Sequence, residues 1–125
     1  MMNIVIVFSI LFSSTSQILL KKGVMQIEVS SLNGFHEYLG LVWSLLTNIY
    51  LILGIVFQVI ALVIWLYVLR RVEVSYAYPF IALGFIFVMG LSFYIFGEKL
   101  DQIKVLGGLV ICIGIFILSF SRQGV

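Results

Sequence analysis

The sequence predicts an all-α membrane protein with four transmembrane helices and one short interfacial helix. Three observations lead there. The 125-residue chain is 63% hydrophobic and only 10% charged, with a mean hydropathy of +1.27, a composition foreign to soluble domains. Every Asp, Glu, Lys and Arg lies outside four blocks, residues 1–20, 38–69, 74–97 and 105–121. A charge at the centre of a bilayer costs roughly 3 kcal/mol or more, so charges confined to block ends are the mark of a chain written for lipid. The blocks are 20, 32, 24 and 17 residues long, and an apolar helix needs about 20 residues to cross the hydrocarbon.

The whole chain, 1–125, reads as one transmembrane domain with spans at about 3–22, 49–70, 74–96 and 104–121. The first span ends at Lys21-Lys22-Gly23, where glycine suits a helix end and lysines suit a helix C-terminus. It has no basic region before it and no A-x-A-like cleavage site, so it reads as a retained helix and not a signal peptide. Residues 24–36 are polar and mixed (Glu28, Ser30, Ser31, Asn33, Gly34, His36) and read as a loop. The second block is too long for one span. Thr47-Asn48 is an N-cap signal inside it. Residues 37–46 therefore form the interfacial helix, with Tyr38 and Trp43 at headgroup depth. Arg70-Arg71-Val72-Glu73 is so short a connection that the second and third spans form an antiparallel hairpin. Pro79 falls near the start of the third span, where a missing N–H costs least. The segment GEKLDQIK (97–104) leads into the fourth.

Arg70, Arg71 and Arg122 fall on one side of the membrane, and Lys21, Lys22, Lys99 and Lys104 on the other. So even a distribution gives no firm orientation. Either the chain inserts both ways and pairs antiparallel with itself, or a partner subunit fixes its orientation. The net charge of +2 comes from flanking Lys and Arg and does not point to nucleic acid.

Ser9, Ser13, Gln17 and Lys21 recur every four residues and share one face of the first helix, with Ser16 beside them. Polar side chains in lipid turn toward other helices or a water-filled cavity. The row is either a path for a polar substrate group or interhelical glue. Gln58 and Trp65 share a face of the second span; Gln58 reads as glue and Trp65, with Tyr67, as a belt anchor. Tyr76 and Tyr78 with Pro79 either line a cavity mouth or belong to the aromatic belt. Glu98 follows the third span and lies on the side of Lys21 and Lys22, so an ion pair is expected there. Lys21, Lys22, Arg70 and Arg71 are natural phosphate ligands. Gly107 and Gly114, seven apart with Gly108 adjacent, form a candidate dimer seam. The lone Cys112 rules out an internal disulfide and reads as a small buried apolar residue. With one histidine, no Cys/His metal cluster, no nucleophile elbow and no phosphate loop, the chain offers no catalytic residues, no metal site and no cofactor site.

The runs Trp65 to Pro79 (WLYVLRRVEVSYAYP), Phe96 to Asp101 (FGEKLD) and Leu106 to Gly114 (LGGLVICIG) resemble the drug/metabolite transporter superfamily, with an EamA-like fold. Within it the four-helix length resembles the small multidrug resistance family and, more closely, the subunits of the aminoarabinose-phosphoundecaprenol flippase. The drug exporters carry an essential glutamate in helix one; matching on Lys21 places it at Ser13, and a serine does not exchange protons at physiological pH. Their helix-three aromatic falls on Ile81. Gly107 and Gly114 match their helix-four glycines, which implies dimerisation there. The flippase subunits share Ala77-Tyr78-Pro79, Ser13, Gln17, Lys21 and Glu98.

The resemblance implies a multi-pass transporter of the bacterial inner membrane, working as a homodimer or as a heterodimer with a related four-helix subunit. The expected function is a flippase for a polyprenyl-phosphate-linked sugar. Ser9, Ser13 and Gln17 would face the sugar. Lys21, with Lys22 or with Arg70 and Arg71, would hold the phosphate. Tyr78 would line the cavity, and Glu98 would pair with the basic cluster or with an amino group of the cargo. The alternatives are a proton-coupled exporter, in which Glu98 is the coupling acid, and an accessory subunit of a glycosyltransferase or another transporter.

Overall fold

The computed structural model describes residues 1–28 and 34–120. The loop residues Ser30, Ser31 and Asn33 and the tail with Arg122 lie outside the described residues. Within them the chain is five helices: α1 (Met2–Met25), α2 (Phe35–Thr47), α3 (Ile49–Arg71), α4 (Val74–Phe96) and α5 (Gln102–Ser119). The helices α1, α3 and α4 are long and apolar enough to cross a membrane; α5, with 18 residues, is shorter. At 1.5 Å per residue α5 extends about 27 Å, close to the thickness of the hydrocarbon. Large apolar side chains stand exposed around the bundle, among them Ile55, Val59, Leu62 and Val63 on α3 and Val110, Ile113 and Ile117 on α5. In water so continuous an apolar surface is untenable, and in lipid it is the expected exterior.

The central helix is α1. It packs antiparallel along α3 and parallel to α4, while α5 packs on α4 and α2 rests on α3. The α1–α3 seam is held by two hydroxyls. Ser9 Oγ donates to the Ala61 carbonyl at 3.0 Å, and Ser16 Oγ donates to the Gly54 carbonyl at 2.7 Å. Both serines are buried. Seven residues separate the donors and seven separate the acceptors, as two antiparallel helices in steady contact require. Helices in lipid gain little from the hydrophobic effect against each other, so close packing and such bonds hold them together. On the α4 side, Ser14 Oγ donates to the Gly84 carbonyl at 3.4 Å. Near the N-terminus of α1 the apolar core gathers Ile6, Ile10, Val68, Val72, Tyr76, Ala77, Phe80 and Ile115.

Four local expectations are revised or sharpened. Gly23 does not end α1, which continues to Met25; Gly23 is buried against Leu51, so its missing Cβ serves close approach. The interfacial helix begins at Phe35, two residues earlier than expected, after Gly34 in extended conformation. Cys112 is exposed on the outer surface of the protomer and not buried. The cap between α2 and α3 is Asn48 and not Thr47. Asn48 Oδ1 accepts from the N–H groups of Tyr50 (2.9 Å) and Leu51 (3.3 Å), and its amide donates to the Gly23 carbonyl (3.4 Å) and to Gln26 Oε1 (3.3 Å). Thr47 Oγ1 instead donates back to the Trp43 carbonyl. Asn48→Ala removes a helix cap and a tie between α1 and α3, and is expected to destabilise the fold by about 1–2 kcal/mol. Thermal unfolding in detergent, followed by circular dichroism, checks this.

Candidate functional site

Because α3 and α4 both pack on α1 and touch each other little, a cleft of about 170 Å³ opens between them. Its floor is Ser9, Ile10, Ser13 and Ser14 of α1. Gln58, Ala61, Leu62 and Trp65 of α3 form one wall, and Ile81 of α4 contributes to the other. Ser13 Oγ donates to Gln58 Oε1 at 3.4 Å, a long bond that leaves both groups open to other partners. Gln58 is exposed on the protomer surface, at the middle of α3 and so at the depth where an uncovered amide is most costly. Trp65 closes one end and meets Tyr78 edge to face, ring centroids 6.0 Å apart. Tyr78 thus stands behind Trp65 and is not itself a lining residue. Gln17, next in the row after Ser13, is exposed beyond the cleft.

Lys21 and Glu98 form an ion pair at the other end of the row. The backbone explains how Glu98 reaches it. Gly97 adopts the left-handed conformation (φ 65°) that favours glycine, and the N–H groups of Gly97 and Glu98 both return to the Ser92 carbonyl. The turn folds Glu98 back toward α1. Lys21 Nζ also lies 4.8 Å from the centroid of the Phe96 ring, and Lys22 Nζ lies 4.7 Å from that of Tyr50. Both members of the pair are about two-fifths exposed, with side-chain values of 42% and 41%. Water and ions therefore reach them.

Arg70 and Arg71 do not join this group. They end α3, whereas Lys21 and Lys22 sit beside its start, and 23 residues of helix lie between, about 33 Å. The antiparallel packing of α1 and α3 forces this separation. A single cluster of Lys21, Lys22, Arg70 and Arg71 is thus excluded; each end of the bundle has its own basic rim. At the second rim Arg70 and Arg71 are exposed, and Arg71 stacks over Tyr67 at 5.7 Å.

On α5, Gly107 and Gly114 are exposed, and a Cβ added at either would meet nothing within 4 Å outside its own helix backbone, whereas Gly108 is buried, and a Cβ there would lie 3.3 Å from Met89 of α4. Gly108 therefore serves packing within the protomer. Gly107 and Gly114 remain on the free face. Among the described residues no group of three or more His, Cys, Asp or Glu is placed to hold a metal ion. Residues 2–25, 49–71 and 74–96, which form the three long helices, contain no carboxylate.

The EamA-like transporter family model matches residues 1–120. The chain belongs to this family. It is 33% identical over 89 residues to a probable 4-amino-4-deoxy-L-arabinose-phosphoundecaprenol flippase subunit ArnE of Pseudomonas savastanoi pv. phaseolicola, covering 71% of this chain and 78% of that relative. It is 29% identical over 118 residues to a probable ArnF subunit of the same kind of flippase from Proteus mirabilis, covering 92% and 89%. A third relative, a probable ArnE subunit of Pseudomonas aeruginosa strain UCBPP-PA14, is 39% identical over 62 residues, half of this chain and 54% of the relative. No solved structure matches. Together these make the chain a multi-pass membrane protein of a transporter family whose relatives are flippase subunits and not enzymes. As an EamA-like transporter it places serine, glutamine and tryptophan in the cleft and keeps its charges at the rims.

Two of these residues escaped the functional reading of the sequence. Gln58 and Trp65 read as glue and belt anchor, yet both line the cleft. Their seven-residue spacing on one helix face was the available signal.

Proposed function

We propose that this chain is one subunit of a dimeric flippase that carries a polyprenyl-phosphate-linked sugar across the bacterial inner membrane. The observation that carries the proposal is the half-open cleft with Ser13 and Gln58 at mid-membrane depth, free of carboxylates and set between two basic rims. Uncovered, these polar groups are costly in hydrocarbon, so the cleft belongs against a polar headgroup or at the inside of a dimer. Lys21 and Lys22 at one rim, and Arg70 and Arg71 at the other, are ligands for the phosphate at the start and end of its crossing. The apolar outer faces of α3 and α4 suit the prenyl chain. The exposed Gly107–Gly114 face of α5 is free to meet a second four-helix chain. The flippase names of the relatives agree with this cargo.

The proton-coupled exporter reading requires Glu98 to be the coupling acid. Its pairing with Lys21 at a solvated rim, away from the cleft, weighs against that role. Transport in proteoliposomes is the direct test. The purified chain, alone and with a related four-helix subunit from the same organism, is supplied with fluorescent polyprenyl phosphate bearing one sugar. Protein-dependent appearance of the lipid in the opposite leaflet, without a requirement for a pH gradient, is the expected result. Strict dependence on a pH gradient, together with movement of small cations instead of lipid, would refute it.

A further inference from the structure

We infer that the α1–α3–α4 cleft is a station for a single sugar ring, with Gln58 and Trp65 as its specificity-determining residues. This rests on the flippase reading and extends it from a path to a defined binding site. The cleft's 170 Å³ corresponds to the volume of about six waters, roughly what one pyranose or pentose ring displaces. A second ring would lie beyond this half-open cleft, outside its lining residues.

The lining matches the chemistry of such a ring, which has an apolar C–H face and a rim of hydroxyls. Trp65 offers a flat apolar wall. It is only half-exposed, and Tyr78 braces it edge-on from outside the cleft. Besides the indole, the polar side-chain groups that line the cleft are the serine hydroxyls of α1 and, on the same wall as Trp65, the Gln58 amide. Ser9 and Ser14 are already committed to the carbonyls of Ala61 and Gly84. That leaves Ser13 and Gln58 to read the cargo. Their mutual bond is long, and whichever way the Gln58 amide is turned, one of its two polar ends has no partner among the described residues. A ring hydroxyl, both donor and acceptor, satisfies either end. No charge lies in the cleft, so recognition there is of a neutral ring, and the phosphate is left to the rims.

Trp65 supplies its own reporter. The chain has two tryptophans, Trp43 and Trp65, so Trp43→Phe leaves Trp65 as the only indole. In proteoliposomes this chain is titrated with undecaprenyl phosphate that is bare, carries one glucose or one arabinose, or carries a disaccharide. The expected result is a saturable change in Trp65 emission with a one-ring lipid, at least tenfold weaker with the bare and two-ring lipids. Gln58→Leu should weaken the one-ring response at least tenfold, and Gln58→Asn should restore part of it. Leucine is no harder to insert than glutamine, and unchanged circular dichroism verifies the fold. Equal responses to bare and one-ring lipids, or a response untouched by Gln58→Leu, would overturn the assignment even if the lipid is flipped. An emission that depends on protein density but not on the sugar would mean that a second copy fills the cleft, which also overturns it. If no lipid-linked sugar is flipped or bound at all, the flippase reading falls, and this inference with it.

Discussion

Lys21→Gln is expected to lower the flipping of a polyprenyl-phosphate sugar by roughly tenfold or more while leaving the fold nearly as stable as before. The two effects separate because they draw on different interactions. In the resting protein Lys21 pairs with Glu98, and both side chains are about two-fifths exposed. A pair this open to solvent is screened and stabilises by about 0–1 kcal/mol, so the thermal midpoint should move by only a few degrees. A hydrogen bond from an ammonium to a phosphate at the membrane edge is worth about 1.5–3 kcal/mol, which is roughly 10- to 150-fold in affinity. Glu98→Gln frees the lysine from its internal partner and should act in the opposite direction on binding, giving tighter retention of the phosphate and slower release. Initial flipping rates over a range of lipid concentrations distinguish weakened binding from slowed release. A Lys21→Gln/Glu98→Gln double variant that flips lipid like the parent would remove this rim from the mechanism.

The rims were legible in the sequence because charge is the one property lipid forbids inside a span. The meeting of Lys21 and Glu98 followed from counting crossings, and the division of the long second block followed from Asn48, a capping residue where a continuous helix has no use for one. The cleft was harder to read. The serine row on α1 identified a face, but α1 contacts two helices at once, and periodicity does not say which neighbour each serine meets. Ser9 and Ser16 go to carbonyls of α3, Ser14 to a carbonyl of α4, and only Ser13 reaches a side chain. Gln58 and Trp65 were visible as a pair on one face, but α3 is apolar on every side, so nothing in its pattern distinguished a cleft wall from a lipid face. The glycines show the same ambiguity. Gly23 resembles a helix stop but permits close approach to Leu51, and Gly108 differs from Gly107 only by the 100° step of a helix, yet that step turns it inward to Met89.

Gly54→Val is expected to cost the protein both its stability and its transport. A Cβ at position 54 would lie 2.8 Å from Cγ and Cδ2 of Leu20 and 3.2 Å from the Leu20 backbone nitrogen. The tip of a leucine turns aside easily; its Cγ and main chain do not, so α1 and α3 must separate. Overpacking of this kind costs about 1–3 kcal/mol. Separation also pulls the Gly54 carbonyl from the fully buried Ser16 hydroxyl, now 2.7 Å away, and an unsatisfied buried hydroxyl adds about 1–3 kcal/mol. The combined loss, roughly 2–6 kcal/mol, should appear as a lower unfolding midpoint in detergent. Leu20→Ala in the Gly54→Val background should recover part of it by making room. Gly40→Ala is the control: no atom lies within 4 Å of the Cβ it would add, and in the exposed helix α2 alanine is favoured over glycine by up to about 1 kcal/mol. Transport should fail with Gly54→Val for a related reason. The Ser9–Ala61 and Ser16–Gly54 bonds fix the register of α3 on α1, and Ser13 and Gln58 meet between them, so a shift of the seam widens the cleft floor where the cargo is read. A Gly54→Val protein that remained folded and flipped lipid at the parental rate would show that the cleft tolerates a loose seam, and would contradict the close packing on which its geometry depends.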